Sequence, residues 1–268
     1  MKQIVAVGEA VSGYGYSPLL SDVHGWDSQH YIEVDWHIPV APIDLSSYQM
    51  PYSTVTRLNV QGILDQISKA EYQPYSGRKR RLEDLKEPRK ISIGDITNSL
   101  IEQGLRIQDS ENIAQTINRV SRLARWYGDN DYDVLEHEIR TFLVIPLLIS
   151  LGWSEQKIKI EFDHIDIAVF SRPYTKKDAS KDPYMIIETK SFKDGLYFAQ
   201  DQAFKYATKY SDCGLLLLTN GYIYKIYEKT NQGFEESGYL NLLDMREHHY
   251  LNEKIHGAIY AILKMSAF

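Results

Sequence analysis

The feature that most constrains the fold is a strand without a polar face. Leu215–Leu218 form an unbroken apolar run that lies between Gly214 and the dipeptide Asn220-Gly221. A strand that is apolar on both faces belongs inside a sheet that is covered on both sides. The segment GYIYKIYEK, which follows the Asn-Gly turn, has strand composition and is predicted as the next strand. The chain is therefore expected to contain a sheet flanked by helices.

The segments that precede this run supply the other elements of the same domain. VLEHEIRTFLVIPLLISLGW is predicted as a helix with Pro146 inside it and Gly152 at its end. IKIEFDHIDIAVFSRP is predicted as a strand pair or a long bent strand, YMIIETKSF as a strand and GLYFAQDQAFKYATKYS as a helix. The fold class is accordingly α/β (α+β), with a mixed sheet and its helices in a domain at 131–268.

Two further regions are expected ahead of this domain. Residues 1–75 are predicted as a small β-rich, barrel-like module. Residues 3–72 are rich in Val, Tyr, Trp and Ile and are broken by Gly and Pro, which predicts short strands rather than helices. Residues 76–130 are predicted as a basic linker and a helical spacer. Ser92-x-x-Asp95 has capping-box spacing, and a second helix is expected from about Glu111. The two helices are read as a spacer, with a helix-turn-helix as the alternative.

Charge and cysteine content exclude several classes of protein. The single Cys213 cannot form an intrachain disulfide or a thiolate zinc site, which favours a reducing, cytoplasmic setting. No apolar run reaches the roughly 20 residues that a membrane-spanning helix needs, so no membrane association is expected. The net charge is -6. Residues 76–90 nevertheless hold seven basic and three acidic side chains, a local +4, so the total charge does not exclude a polyanionic partner.

Charged residues inside two apolar strands are the main chemical signal. Asp166 lies in IDIAVF, where alternation places it opposite Ile165, Ile167 and Val169. Glu188 and Lys190 lie two apart in MIIETKSF, so both point to one face, and Thr189 points to the other. Such charges are costly unless they are paired or bound to a metal. An edge strand can also display a Glu–Lys pair to solvent, so this motif alone is weak.

The order of these motifs resembles the PD-(D/E)xK nuclease superfamily, in particular the nuclease domain of type I restriction enzyme cleavage subunits. The resemblance covers about residues 134–228. It is carried by the helix EHEIRTFLVIPLLISLGW, by Asp166 in IDIAVF, by Glu188-Thr189-Lys190, by the Q-x-x-x-Y motif Gln202 to Tyr206, and by the Leu218–Gly221 turn. The proline that precedes the first catalytic aspartate in the family is replaced by Ile165.

The resemblance implies a magnesium-dependent endonuclease that hydrolyses DNA phosphodiester bonds, with Mn²⁺ as a substitute metal. It assigns Asp166, Glu188 and the Thr189 main-chain carbonyl to the metal, and Lys190 to the attacking water. Glu136 matches the family's helix glutamate, although Glu138 is an alternative. Gln202 and Tyr206 would support the Lys190 side of the site or contact the DNA backbone. The alternative is that Gln202 is an ordinary surface residue and Tyr206 an ordinary core residue. Glu161 and Asp163 are read as hairpin charges or a second metal site, and Arg140 as an intrahelical ion-pair partner of Glu136.

The β-rich module has a weaker resemblance, to EVE and PUA-like domains, some of which read modified bases. That resemblance implies an aromatic base-binding wall, for which Tyr14, Tyr16, Trp26 and Trp36 are the candidates, and ordinary barrel aromatics are the alternative. Arg78, Lys79, Arg80 and Arg81 are the candidate phosphate contacts in the linker. The expected partner is therefore DNA, including modified DNA, and a homodimer would place two sites on a duplex. Restriction or phage defence is the implied setting. The competing hypothesis is a catalytically inactive nucleic-acid-binding or regulatory protein on a nuclease-derived scaffold.

Overall fold

The computed structural model of the protein describes residues 3–17, 30–48, 60–75, 87–175, 177, 182–196, 199–249 and 252–268. The described residues form two compact units, one that contains the segments up to residue 75 and one that contains those from residue 87 onward. The predicted α/β class is confirmed, because a large mixed sheet combines with helices and small antiparallel sheets. No helix within these ranges is long and apolar enough to cross a membrane.

The first unit is rich in short strands, as its composition predicts. The strands are β1 (Gln3–Ile4), β2 (Val7–Ala10), β3 (Gly15–Tyr16), β4 (His30–Tyr31), β5 (Val34–Pro39), β6 (Ile43–Asp44) and β7 (Tyr72–Pro74). They pair as β1-β6, β2-β5-β7 and β3-β4, so the described strands make three small sheets and no continuous barrel.

The expectation of strands without helices in residues 3–72 is wrong, since helix α1 spans Gln61–Lys69. Its buried Ile63 packs with Ile43 and Leu45 in a small core. The strand prediction for this region rested on β-branched and aromatic composition, and Gln61–Lys69 buries one apolar side of a helix instead.

The second unit is built on an eight-stranded sheet with the order β14-β15-β13-β12-β11-β10-β9-β8. The pairs β10-β11 and β13-β15 are parallel, and the other neighbours are antiparallel. The strands are β8 (Ile158–Phe162), β9 (Ile165–Val169), β10 (Met185–Thr189), β11 (Leu215–Thr219), β12 (Ile223–Thr230), β13 (Gly233–Asn241), β14 (His248–His249) and β15 (Asn252–His256).

Helices cover both faces of this sheet, as the apolar strand requires. The helices are α2 (Ile93–Glu102), α3 (Ile107–Asp129), α4 (Glu136–Glu138), α5 (Ile145–Ser150), α6 (Ala199–Ala207) and α7 (Ala258–Met265). Leu215 and Leu217 of β11 pack in one core cluster with α2, α3, α5 and α7. Leu216 and Leu218 pack in a second cluster with α6. Every residue of β11 is buried, so this strand lies in the interior of the sheet.

Helices α2 and α3, which were predicted as a spacer, belong to the core of the sheet. Ile96 and Leu100 of α2 and Ile113, Ile117 and Val120 of α3 are fully buried in the first cluster. The predicted capping box is present, because Ser92 Oγ accepts from the Asp95 N–H at 3.1 Å and the Asp95 carboxylate accepts from the Ser92 N–H at 2.8 Å. The two helices thus stabilise the sheet that carries the charged residues.

The predicted helix around Pro146 is one helix with a wide turn in the middle. A π-helical segment, Ile139–Val144, joins α4 to α5, and the Ile145 N–H donates to the carbonyl five residues back, on Arg140. Pro146 lacks an N–H and cannot continue a regular α-helical ladder. The π turn ends immediately before α5, so the extra residue is accommodated next to the proline.

Candidate active site

Glu188 and Lys190 lie where β10 ends, in the interior of the large sheet. Glu188 is 4% exposed, and Lys190 Nζ lies 2.9 Å from its Oε1, as the two-residue spacing predicts. The Lys190 N–H donates to the Thr219 carbonyl at 2.9 Å, which continues the parallel ladder with β11 past the end of the strand. The lysine is therefore fixed at its backbone and paired at its ammonium group.

Burial raises the pKa of the Glu188 carboxyl above its usual value of 4.5. The hydrogen bond and the charge of Lys190 oppose this effect, whereas the negative charges of Asp166 and Glu136 add to it. The negative charges of two further carboxylates thus act on Glu188 at this end of the sheet. A cation beside Glu188 would relieve this repulsion.

Asp166 is held by donors on two sides of its carboxylate. Arg140 Nη1 donates to Oδ1 at 2.6 Å, and both the N–H and the hydroxyl of Thr189 donate to Oδ2, at 2.7 and 2.8 Å. The pair is largely buried, with the Arg140 side chain 12% and the Asp166 side chain 20% exposed. The orientation of the aspartate is thus fixed by the strand that carries Glu188 and by the helix that precedes β8.

The prediction that Arg140 pairs with Glu136 within the helix is wrong. The guanidinium reaches Asp166 and, at 3.5 Å, the exposed Glu161. Arg140 lies in the π segment, whose wider turns change the direction of side chains relative to a regular α-helix. An intrahelical pair at four-residue spacing assumes α-helical geometry, which this stretch does not have.

The alternation expected for β9 also breaks at its first residue. Ile167 and Val169 pack in the first core cluster, but Ile165 packs in the second, with Ala168. The hairpin that enters β9 contains three residues with positive φ, namely Glu161, Asp163 and His164. This irregular turn rotates the start of the strand, so strict period-two alternation holds only from Asp166 onward.

The structure distinguishes the two candidate helix glutamates by their partners. Glu138 accepts the Leu135 N–H at 3.0 Å and the Tyr132 hydroxyl at 3.4 Å, so it caps the start of α4. Glu136 instead acts on the charge of Glu188. Of the two, Glu136 is the one whose charge acts on a residue of the candidate site.

The oxygen groups present are of the kind that a magnesium ion prefers. Mg²⁺ in proteins commonly uses one or two carboxylates and keeps several waters. Asp166 and Glu188 can supply these. Among the described residues, no three His, Cys, Asp or Glu side chains are grouped closely enough to hold an ion together. A metal here would be held mainly by Asp166 and Glu188, which Arg140 and Lys190 already contact.

The remaining predicted residues are distributed over the chain. Tyr206 packs against the second core cluster, and the Lys209 ammonium lies 5.2 Å from its ring centroid. Trp36 lies on β5 and is exposed. Asp163 accepts from the Tyr210 hydroxyl at 2.7 Å. The residues that fall outside the described part of the chain are Trp26, Arg78, Lys79, Arg80 and Arg81, together with the side chain of Gln202.

Two parts of the site were not assigned from the sequence. The Thr189 hydroxyl binds Asp166, and the Asn220 amide donates to the carbonyls of Phe192 and Asp194 at 3.3 and 3.4 Å, which fixes the segment after Lys190. The Thr189 contact had no clear signal in the sequence, whereas an arginine among the apolar residues of the helix at 139–149 was the available signal for the Arg140–Asp166 pair. The role of Asn220 depends on the fold of a loop 26 to 28 residues away.

Asp166 at the start of β9 and Glu188, Thr189 and Lys190 at the end of β10 thus meet at one end of the two strands. Asp166, Glu188, Thr189 and Lys190 share direct hydrogen bonds or charge interactions, and the helix glutamate acts on the same group. Comparisons of the chain with family models, with curated proteins and with solved structures found no match.

Proposed function

We propose that the protein is a magnesium-dependent endonuclease that hydrolyses DNA phosphodiester bonds. The observation that carries this proposal is the convergence of Asp166, Glu188 and Lys190 where two neighbouring strands end. Glu188 is almost fully buried, yet its only charged hydrogen-bond partner among the described residues is the lysine two positions away. A buried acid with a raised pKa beside a second acid and a lysine is typical of a catalytic site.

The residues divide the work of hydrolysis between them. Bound Mg²⁺ would neutralise charge on the phosphoryl group and lower the pKa of a bound water. Asp166 and Glu188 would hold the ion, and Thr189 keeps Asp166 in place through its N–H and hydroxyl. Lys190 would orient the attacking water and offset the negative charge that develops in the transition state.

Cleavage of supercoiled plasmid DNA in the presence of Mg²⁺ tests the proposal. Lys190→Ala should abolish cleavage while the protein stays folded. Lys193→Ala is the matched control, because it removes an exposed lysine three residues away that pairs with Asp131 on the surface. Cleavage that survives Lys190→Ala, or that is lost equally in both variants, would refute the assignment of Lys190.

One observation favours the competing hypothesis of an inactive nucleic-acid-binding or regulatory protein. Each acid already has a cationic partner, since Arg140 pairs with Asp166 and Lys190 pairs with Glu188. In that case the charges serve only the stability of the sheet. Calorimetric titration with Mn²⁺ separates the two hypotheses. If the protein is a nuclease, the wild type should bind the ion and Asp166→Ala should not. If the charged residues serve only structure, the wild type should show no binding.

The biological setting that we propose rests on the resemblance to restriction enzyme nuclease domains. We place the enzyme in restriction or phage defence in a prokaryotic cytoplasm, where modified DNA is a natural substrate. One site per chain cuts one strand, so cleavage of both strands favours a homodimer. Sedimentation velocity with and without a DNA duplex measures the oligomeric state directly. A protein that stays monomeric under both conditions and cuts only one strand of the duplex would exclude the dimer.

A further inference from the structure

The exposed side of helix α3 carries a row of cationic and aromatic side chains that the candidate site does not use. Arg119, Arg122 and Trp126 follow one another at three- and four-residue spacing, so they lie within about 60° of each other around the helix. The opposite side of the helix is buried in the core of the sheet. The row is therefore held on a rigid element and faces solvent.

The side chains of the two arginines in this row have no partner in the part of the chain that the structure describes. Within the residues that the structure describes, neither Arg119 nor Arg122 forms a hydrogen bond or an ion pair, and both are exposed. Arg125, on the flank, donates to the Leu243 carbonyl at 3.2 Å and stays exposed. No acidic residue lies between 112 and 128, so Arg119 and Arg122 have no acidic side chain one turn away on the helix, whereas Asp129 lies one turn from Arg125.

The row ends beside the elements of the candidate active site. Trp126 is 50% exposed and Tyr132 is 40% exposed, and their ring centroids lie 5.6 Å apart. The Tyr132 hydroxyl contacts Glu138 on the helix that carries Glu136. Tyr127 stacks on Tyr132 and contacts Phe192, two residues after Lys190. A strand bound along α3 would thus reach the site at its Trp126 end.

We infer that this face of α3 binds a single strand of DNA. Arg119 and Arg122 would contact successive phosphates, and the half-exposed Trp126 ring, supported by Tyr132, would stack on an unpaired base. Unpaired arginines beside exposed aromatic rings match the two components of single-strand binding, a cationic track and a stacking platform. The inference relies on the proposed function for the choice of DNA as the nucleic acid, and it names the form of DNA that the enzyme would grip next to the site.

The binding test uses the whole chain and a fluorescently labelled single-stranded oligodeoxynucleotide, with anisotropy measured in EDTA so that no cleavage occurs. Arg119→Ala and Arg122→Ala should each lower the slope of log K against log salt by about 1. The matched control is Arg106→Ala, which removes the same charge at the far end of α3, roughly 24 Å from Arg122, where Arg106 is paired with Asp109. It should leave the slope unchanged.

Trp126→Ala should weaken binding of the single strand about fivefold or more and weaken binding of a blunt duplex of the same sequence less. Equal slopes and affinities for the Arg119, Arg122 and Arg106 variants would overturn the inference, as would an equal loss on strand and duplex for Trp126→Ala. Arg119 and Arg122 lie outside the core, so their replacement by alanine should leave the protein folded. These two variants therefore test the inference even if Trp126→Ala is poorly folded. A protein that binds in this pattern but cuts no DNA would refute the nuclease and leave the binding face intact.

Discussion

Replacement of Arg140 by methionine tests whether the Arg140–Asp166 pair supports the fold. The substitution leaves the aliphatic volume but removes the donor 2.6 Å from Asp166 Oδ1, on a pair whose side chains are 12% and 20% exposed. A hydrogen bond to a charged group contributes about 1.5–3 kcal/mol, and breaking a fully buried pair costs about 3–5 kcal/mol. Asp166 keeps both Thr189 donors and some access to water. We therefore expect a loss of about 2 kcal/mol in the free energy of unfolding.

The assay is equilibrium unfolding in urea at neutral pH with EDTA, followed by helical circular dichroism, because most described helices belong to the larger unit. The control is Glu161→Gln, which removes the other partner of the same arginine. Glu161 is 76% exposed and lies 3.5 Å from Arg140, so its loss should cost less than about 0.5 kcal/mol. An Arg140→Met variant as stable as wild type, or an equal cost for both variants, would refute the reasoning.

Three further predictions follow from described contacts. Gly221 has φ +97, and a Cβ there would lie 2.6 Å from Leu143 Cδ1, so Gly221→Ala should lower the free energy of unfolding in urea by about 2–4 kcal/mol. The control is Gly233→Ala, with φ +119 and no atom within 4 Å of the added Cβ, which should lower it by only about 1–2 kcal/mol. Similar losses in the two variants would show that packing against Leu143 contributes nothing. Burial raises the pKa of Glu188 above 4.5, so its contribution to stability is present at acid pH and is lost as pH rises through the folded pKa. The free energy of unfolding of Glu188→Gln, relative to that of wild type, should therefore increase as the pH is raised. A difference between the two proteins that does not change with pH would contradict this. Burial raises the pKa of Cys213 to about 11, so a thiol reagent at mildly alkaline pH should modify it only after unfolding, and rapid modification of the native protein would be inconsistent with the buried position.

Local patterns were enough to predict the elements that carry the charged residues. The apolar run at β11, the strands around Asp166 and Glu188 and the capping box at Ser92 all occur as predicted. Each depends on alternation, apolar content or a cap, which are properties of a few adjacent residues. The Glu188–Lys190 contact follows from the two-residue period of a strand in the same way.

What the sequence did not predict depends on contacts between distant segments. The Arg140–Asp166 pair joins residues 26 positions apart and requires both the π segment and the irregular hairpin before β9. Neither irregularity has a strong local signature in the sequence. Pro146 predicts that the helix is interrupted, but it does not predict that the interruption is a π-helical segment. The packing of α2 and α3 into the sheet likewise depends on long-range burial that periodicity alone does not assign.

The π segment sets how the part of the helix that carries Glu136 is rotated about the helix axis relative to the part after Pro146. The π segment between Ile139 and Val144 holds one residue more than regular α-helical turns need, so losing a single residue there would return this stretch to α-helical turns, with the ladder interrupted only at Pro146. Because each residue turns an α-helix by about 100°, Glu136 would then rotate away from Glu188 relative to the part of the helix after Pro146. A single-codon deletion in this stretch would therefore act as a change of rotation between two otherwise normal helical halves, and not as a simple loss of structure.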